Sequence, residues 1–88
     1  MSFERIKQNT KALSEAIQNY KNIVYKITSI ENEIAVTGDK KKIKEGEKET
    51  ESLKIELNKI RSYALKLCND NSSIIKQEKI NLIKNAAT

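Results

Sequence analysis

Proline, histidine and tryptophan do not occur in this chain, glycine occurs twice, and cysteine once. Aromatic residues make up only 5% of it. Each shortage excludes a class of function. Without histidine the commonest general base and metal ligand is gone. Cys68 has no second cysteine for an internal disulfide and no spaced partners for a zinc site. It reads as a small buried hydrophobe. No apolar run approaches the ~18–20 residues that a membrane-spanning helix needs. The opening "MSFERIKQNT" has no apolar core of the secretory kind. With no glycine-rich loop and no carboxylate cluster set apart from lysines, an active site cannot be assembled. The expectation is therefore a non-enzyme with no catalytic residue, cofactor or metal.

What is present is charge and isoleucine. A third of the 88 residues are charged, and the formal net charge is +5. That excess raises nucleic acid or an acidic membrane as partners. Two features argue against both. Nearly all the cations are lysine, with only Arg5 and Arg61 able to make planar bidentate contacts. The lysines are also interleaved with glutamates, as on a solvated helix face.

Two long helical stripes can be counted. Phe3, Ile6, Thr10, Leu13, Ile17, Tyr20, Val24 and Ile27 step 3-4-3-4-3-4-3, with Ile23, Ile30 and Ile34 widening the stripe on one side. A stripe this wide suits a helix that touches two neighbours. Ser2 is placed to cap it and Glu4 to complement its dipole. The second stripe is Ile43, Gly46, Thr50, Leu53, Leu57, Ile60, Ala64 and Leu67, with the same steps; Ile55, Tyr63 and Cys68 lie off the row. Gly46, in a helix interior, costs about 1 kcal/mol against alanine. It implies either close approach of a neighbouring helix or local fraying.

Between the stripes lies "AVTGDKKKIK", the one clear interruption. A phosphate-binding loop would need two glycines at set spacing between a strand and a helix. Here a single glycine precedes Asp39, whose charge would repel phosphate. Gly38 suits a left-handed helix end, and Asp39 suits the cap of the next helix. The segment reads as a tight turn between antiparallel helices. A second polar cluster, "NDNSS" at residues 69–73, reads as another turn, with Ser72 or Ser73 capping a third helix. The glycosylation sequon within it carries no weight without a signal peptide. Ile74, Ile75, Ile80, Leu82, Ile83, Ala86 and Ala87 would then form the apolar side of that helix.

The expected architecture is one all-α domain over 1–88, an antiparallel up-down-up three-helix bundle. Helix one would cover about 2–35, a turn 36–39, helix two about 40–68, a turn 69–73 and helix three about 74–87. Two helices of roughly thirty residues would measure ~45 Å each. The shorter third would cover only half of the groove between them. An exposed apolar patch at one end is expected, or a longer chain or partner that covers it.

In three places the chain resembles the N-terminal three-helix domain of syntaxins, most of all their endosomal and vacuolar branch. Helix one, "FERIKQNTKALSEAIQNYKNIVYKI", is similar to the opening helix of that family, with Ile6 and Asn9 in an Ile-x-x-Asn phrase before Leu13 and Ile17. "VTGDKKKIKEGEKETESLKIEL" resembles the linker and second-helix start, through Gly38, Asp39, Ile43, Lys44, Thr50 and Leu53, with a shortened gap at Asp39. "IIKQEKINLIKNAAT" resembles the third helix through Lys76, Gln77, Ile80 and Leu82. The family's SNARE segment with its central glutamine and the C-terminal membrane span would lie beyond Thr88.

The resemblance implies a regulatory and recruiting domain in vesicle fusion. It would sit on the cytosolic face of an endosome, vacuole or Golgi membrane, in a protein held there by a C-terminal anchor. Its partners would be its own SNARE helix or a Sec1/Munc18-type protein, received in a groove that includes Ile55, Tyr63, Ile74 and Leu82. Two other classes stand beside it. One is a structural helical hairpin that self-assembles through its heptad stripes. The other is a basic helical nucleic-acid binder, whose binding would fall steeply with salt.

Overall fold

The computed structural model describes residues 2–87, and the side chains of residues 3–86. It contains two helices, α1 (Ser2–Val36) and α2 (Lys40–Ala87), joined by residues 37–39. They pack antiparallel in a rod of 74 × 15 × 15 Å. The length is that of α2 itself, since 48 helical residues span about 72 Å. The radius of gyration is 20.6 Å, against about 12 Å for a compact domain of this size.

This corrects the expected three-helix bundle. Residues 69–73 are helical, so helices two and three are one continuous α2. Asn, Asp and Ser are mediocre helix formers, but each costs only about half a kcal/mol against alanine. No glycine or proline joins them. The cluster is also held from across the hairpin. Arg5 donates from Nε and Nη2 to the two carboxylate oxygens of Asp70, at 3.0 and 2.9 Å. Asn9 Nδ2 donates to Asp70 Oδ2 at 2.7 Å and to Asn71 Oδ1 at 2.9 Å. Residues that read as a turn are the polar clasp of the open end.

The turn at the other end matches expectation in one part and departs from it in another. Asp39 Oδ1 accepts the Lys41 amide at 3.0 Å, the N-cap bond foreseen for it. Gly38, however, is not left-handed: no described residue has positive φ. The end of α1 is closed without it. Thr37 N donates to Glu33 O at 3.0 Å, and the Thr37 hydroxyl accepts the Asp39 amide at 3.3 Å. Glu4 stands in the first turn of α1, as expected; the cap proposed for Ser2 concerns a side chain outside those described.

The seam of α2 is the counted row. Ile43, Gly46, Leu53, Leu57, Ile60, Ala64 and Leu67 are half-buried, Thr50 is buried, and the row runs on through Asn71 and Ile74. In α1 the seam is rotated from the counted row. It runs Ile6, Asn9, Leu13, Ala16, Tyr20, Ile23, Ile27, Ile30 and Ile34. Thus Ile23, Ile30 and Ile34 are central, whereas Phe3, Thr10, Ile17 and Val24 are exposed. Both seams keep the 3-4 alternation of a coiled coil.

The small residues of α2 admit the large ones of α1. A β-carbon on Gly46 would lie 2.7 Å from Ile34 Cδ1 and 3.2 Å from Ile30 Cγ2. Gly46 therefore marks close approach and not fraying. Thr50 is buried, and its hydroxyl lies 2.9 Å from Glu47 O and 3.1 Å from Gly46 O. The interior is thin nonetheless. Ala16, Ile23 and Ile27 are the buried apolar residues, and none of the described side chains is fully enclosed.

Candidate interaction groove

One side of the seam is apolar and open. There an elongated groove of about 760 Å³ runs between the helices. Ala16 and Ala64 are too short to fill the space between the backbones, and this opens the floor. Ile17 and Val24 form one wall; Leu65 and Cys68 form the other. These walls are the row of α1 turned out of the seam and its counterpart on α2. Ile17 is 47% exposed, Leu65 58% and Tyr25 72%. The charged residues on the groove are Lys21 and Arg61, both cations.

Cys68 is exposed on this groove and not buried as its composition suggested. Its heptad row continues down α2 to Ile75 and Leu82, both exposed. The row of Ile17 and Val24 begins at Phe3, exposed as well. Exposed apolar residues therefore recur from mid-rod to the open end, with Thr10 and Ser72 between them. The patch expected where a short third helix would leave a bundle groove uncovered has no counterpart, since there is no third helix; the exposed apolar residues lie along one side of the hairpin instead. A groove with no acid in it, no metal-holding group among the described residues and no buried polar atom lacking a partner can bury apolar surface. Its one thiol is that of the exposed Cys68.

The four groove residues expected from the sequence do not come together. Ile74 is in the seam. Ile55 points away from α1, and Tyr63 and Leu82 flank opposite sides of the α2 row; all three are exposed. All four share only a place off the counted row, which is a negative criterion and does not define a side. The signal that finds the real walls is the counted row of α1 itself, once Ile23, Ile30 and Ile34 are recognised as the seam.

A second, more polar recess lies at the loop end on the opposite side. Ile30, Ile34 and Val36 meet Glu33, Lys42, Glu45 and Glu49 there. Its charges are of both signs, and it has no built set of converging donors. No described helix is long and apolar enough to cross a membrane. No protein-family profile matches this chain, and neither a curated protein nor a solved structure matches it.

Proposed function

We propose that the chain is a structural helical hairpin whose activity is association, and that it self-assembles through its heptad stripes. One observation carries this reading: α1 has apolar residues for two neighbours and meets only one. Its seam faces α2, while Ile17, Val24 and Phe3 form a second stripe facing solvent. Exposed apolar residues gathered on one side in this way, together with the groove beside them, are a usual mark of an interface. Stability points the same way. A two-helix rod with a half-buried seam encloses less apolar surface than a compact chain of its length, and is marginal alone.

Sedimentation equilibrium tests the proposal. The wild-type chain is expected to form a reversible small oligomer at micromolar concentration. Ile17→Lys and Leu65→Lys, both at exposed positions, should raise the dissociation constant at least about tenfold, by placing a charge in the apolar contact. A chain that stays monomeric to millimolar concentration would remove the reading.

Nucleic-acid binding draws less support, because the groove is mainly apolar and holds only two cations, Lys21 and Arg61. The syntaxin-like role leaned on three helices in order, and with α2 continuous no observation now favours it.

A further inference from the structure

We infer that the occupant of the groove is a second copy of this chain lying in the inverted direction, with the two-fold axis passing beside Ala64. This deepens the self-assembly reading and rests on it. Two features of the rod place the axis to within about one helical turn, and a third sets the direction.

The first is the extent of the apolar strip. Contacts of Asn9 with Asn71 and of Ile34 with Gly46 set the hairpin register. By that register Val24 lies abreast of the α2 residues around Ile55, and Phe3 abreast of those just past Ile75. The strip from Val24 to Phe3 is thus centred near Lys66 and Leu67, beside the Leu65 and Cys68 wall of the groove. A two-fold axis there lays the strip on itself, so Val24 of each copy meets the Phe3 and Ile75 region of the other.

The second is length. Helix α2 runs from Lys40 to Ala87, so its own midpoint falls beside Ala64. Rotation about that point brings the two rods flush along their full 74 Å. By the same register Ser2 stands abreast of Glu78, so only the part of α2 after that residue runs past the start of α1. In the inverted pair it lies along the loop end of the second copy. The contact is isologous and closes at two chains, leaving no open end to propagate.

The third is charge. Over residues 31–51, at the loop end, seven acids stand against five lysines. Over the rest of the chain twelve cations stand against five acids. A pair with both loops at the same end would set the cationic halves side by side, and like charges juxtaposed at an interface are costly. Inversion brings Lys76 and Lys79 level with a segment that carries Glu47 and Glu51, with Lys44 and Lys48 among them.

Energy transfer between labelled chains decides the direction. Both labels are placed in a Cys68→Ser background. Gly38→Cys labels the loop, where a β-carbon meets nothing within 4 Å and φ is not positive. Ala86→Cys labels the far end of α2, at an exposed position. Sedimentation of each labelled chain first establishes that it still pairs. Chains with a donor at residue 38 are then mixed with chains carrying an acceptor at residue 86, and separately with chains carrying an acceptor at residue 38. Inversion predicts strong transfer in the first mixture, where the labels are about 20–30 Å apart given ~10 Å between helix axes. It predicts little transfer in the second, where they lie on the order of 70 Å apart at 1.5 Å per residue. Paired chains with the opposite pattern overturn the inverted arrangement and leave self-assembly standing. Paired chains with intermediate transfer in both mixtures show mixed directions, and overturn it too. If the unlabelled wild-type chain is monomeric, both the inference and the self-assembly reading fall.

Discussion

Gly46 shows how a single absent methyl group sets the spacing of the hairpin. Alanine there would gain about 1 kcal/mol of helix propensity. Its β-carbon would, however, stand 2.7 and 2.9 Å from two carbons of Ile34. Overpacking of that kind costs typically 1–3 kcal/mol, so the clash prevails over the propensity. Gly46→Ala is expected to destabilise the chain by about 1 kcal/mol in urea denaturation. With Ile34→Ala in place the space is free, and adding Gly46→Ala should then stabilise by up to about 1 kcal/mol. The same sign in both backgrounds would mean that Ile34 does not lie over Gly46. Gly38 gives the opposite case. Its surroundings are empty and its φ is not positive. Gly38→Ala should therefore stabilise by roughly 0.4–1 kcal/mol, through a less free unfolded chain. A loss of 1 kcal/mol or more would mean that the turn is left-handed after all.

At the scale of the helices, the polar clasp yields the next prediction. Asp70 accepts from both Arg5 and Asn9, and its side chain is 32% exposed against 64% for Arg5. An ion pair so placed is screened, so Asp70→Ala should cost about 1 kcal/mol, most of it from the half-buried Asn9 losing a partner. Backbone chemical shifts should report helix through residues 69–73 in the wild type. Coil shifts there would restore a break in α2. How far these elements could be read from sequence differs between the two. The seam of α2 was legible because only one 3-4 row can be drawn through Ile43 and Leu67. Helix α1 offers two rows that share Ile6, Leu13, Tyr20 and Ile27. One adds Ile17 and Val24; the other adds Ala16 and Ile23. Counting favours the first, because Ala16 and Asn9 look unlike core residues. Packing favours the second, because Ile30 and Ile34 fit over Gly46 and Thr50, and Asn9 finds its partners on α2. The turn at residues 69–73 was misread for a related reason: local propensity cannot register a hydrogen bond from a residue more than sixty positions away. The groove followed from these errors, since its walls are the row that counting had put inside.

For the molecule as a whole, the thin interior makes stability depend on concentration. If two chains pair, each tenfold rise in concentration adds about 1.4 kcal/mol per pair, or half that per chain. For a chain of this size that should raise the melting temperature by about 3–5 °C. Deleting residues 79–87 separates the hairpin from its assembly. Helix α1 begins abreast of the residues just past Ile75, so the deleted segment has no helix of its own chain beside it. At the lowest concentrations the shortened chain should therefore melt within about 2 °C of the full one. Its rise with concentration should be flatter, because the exposed Leu82 and Ile83 and the cation of Lys84 would no longer lie against a second copy. Circular dichroism melts at several concentrations check both parts. A large fall in the dilute melting temperature would mean that the end of α2 supports its own hairpin. An unchanged slope would mean that this end takes no part in pairing, and the flush, full-length overlap of two inverted rods would have to be given up for a contact confined to the middle.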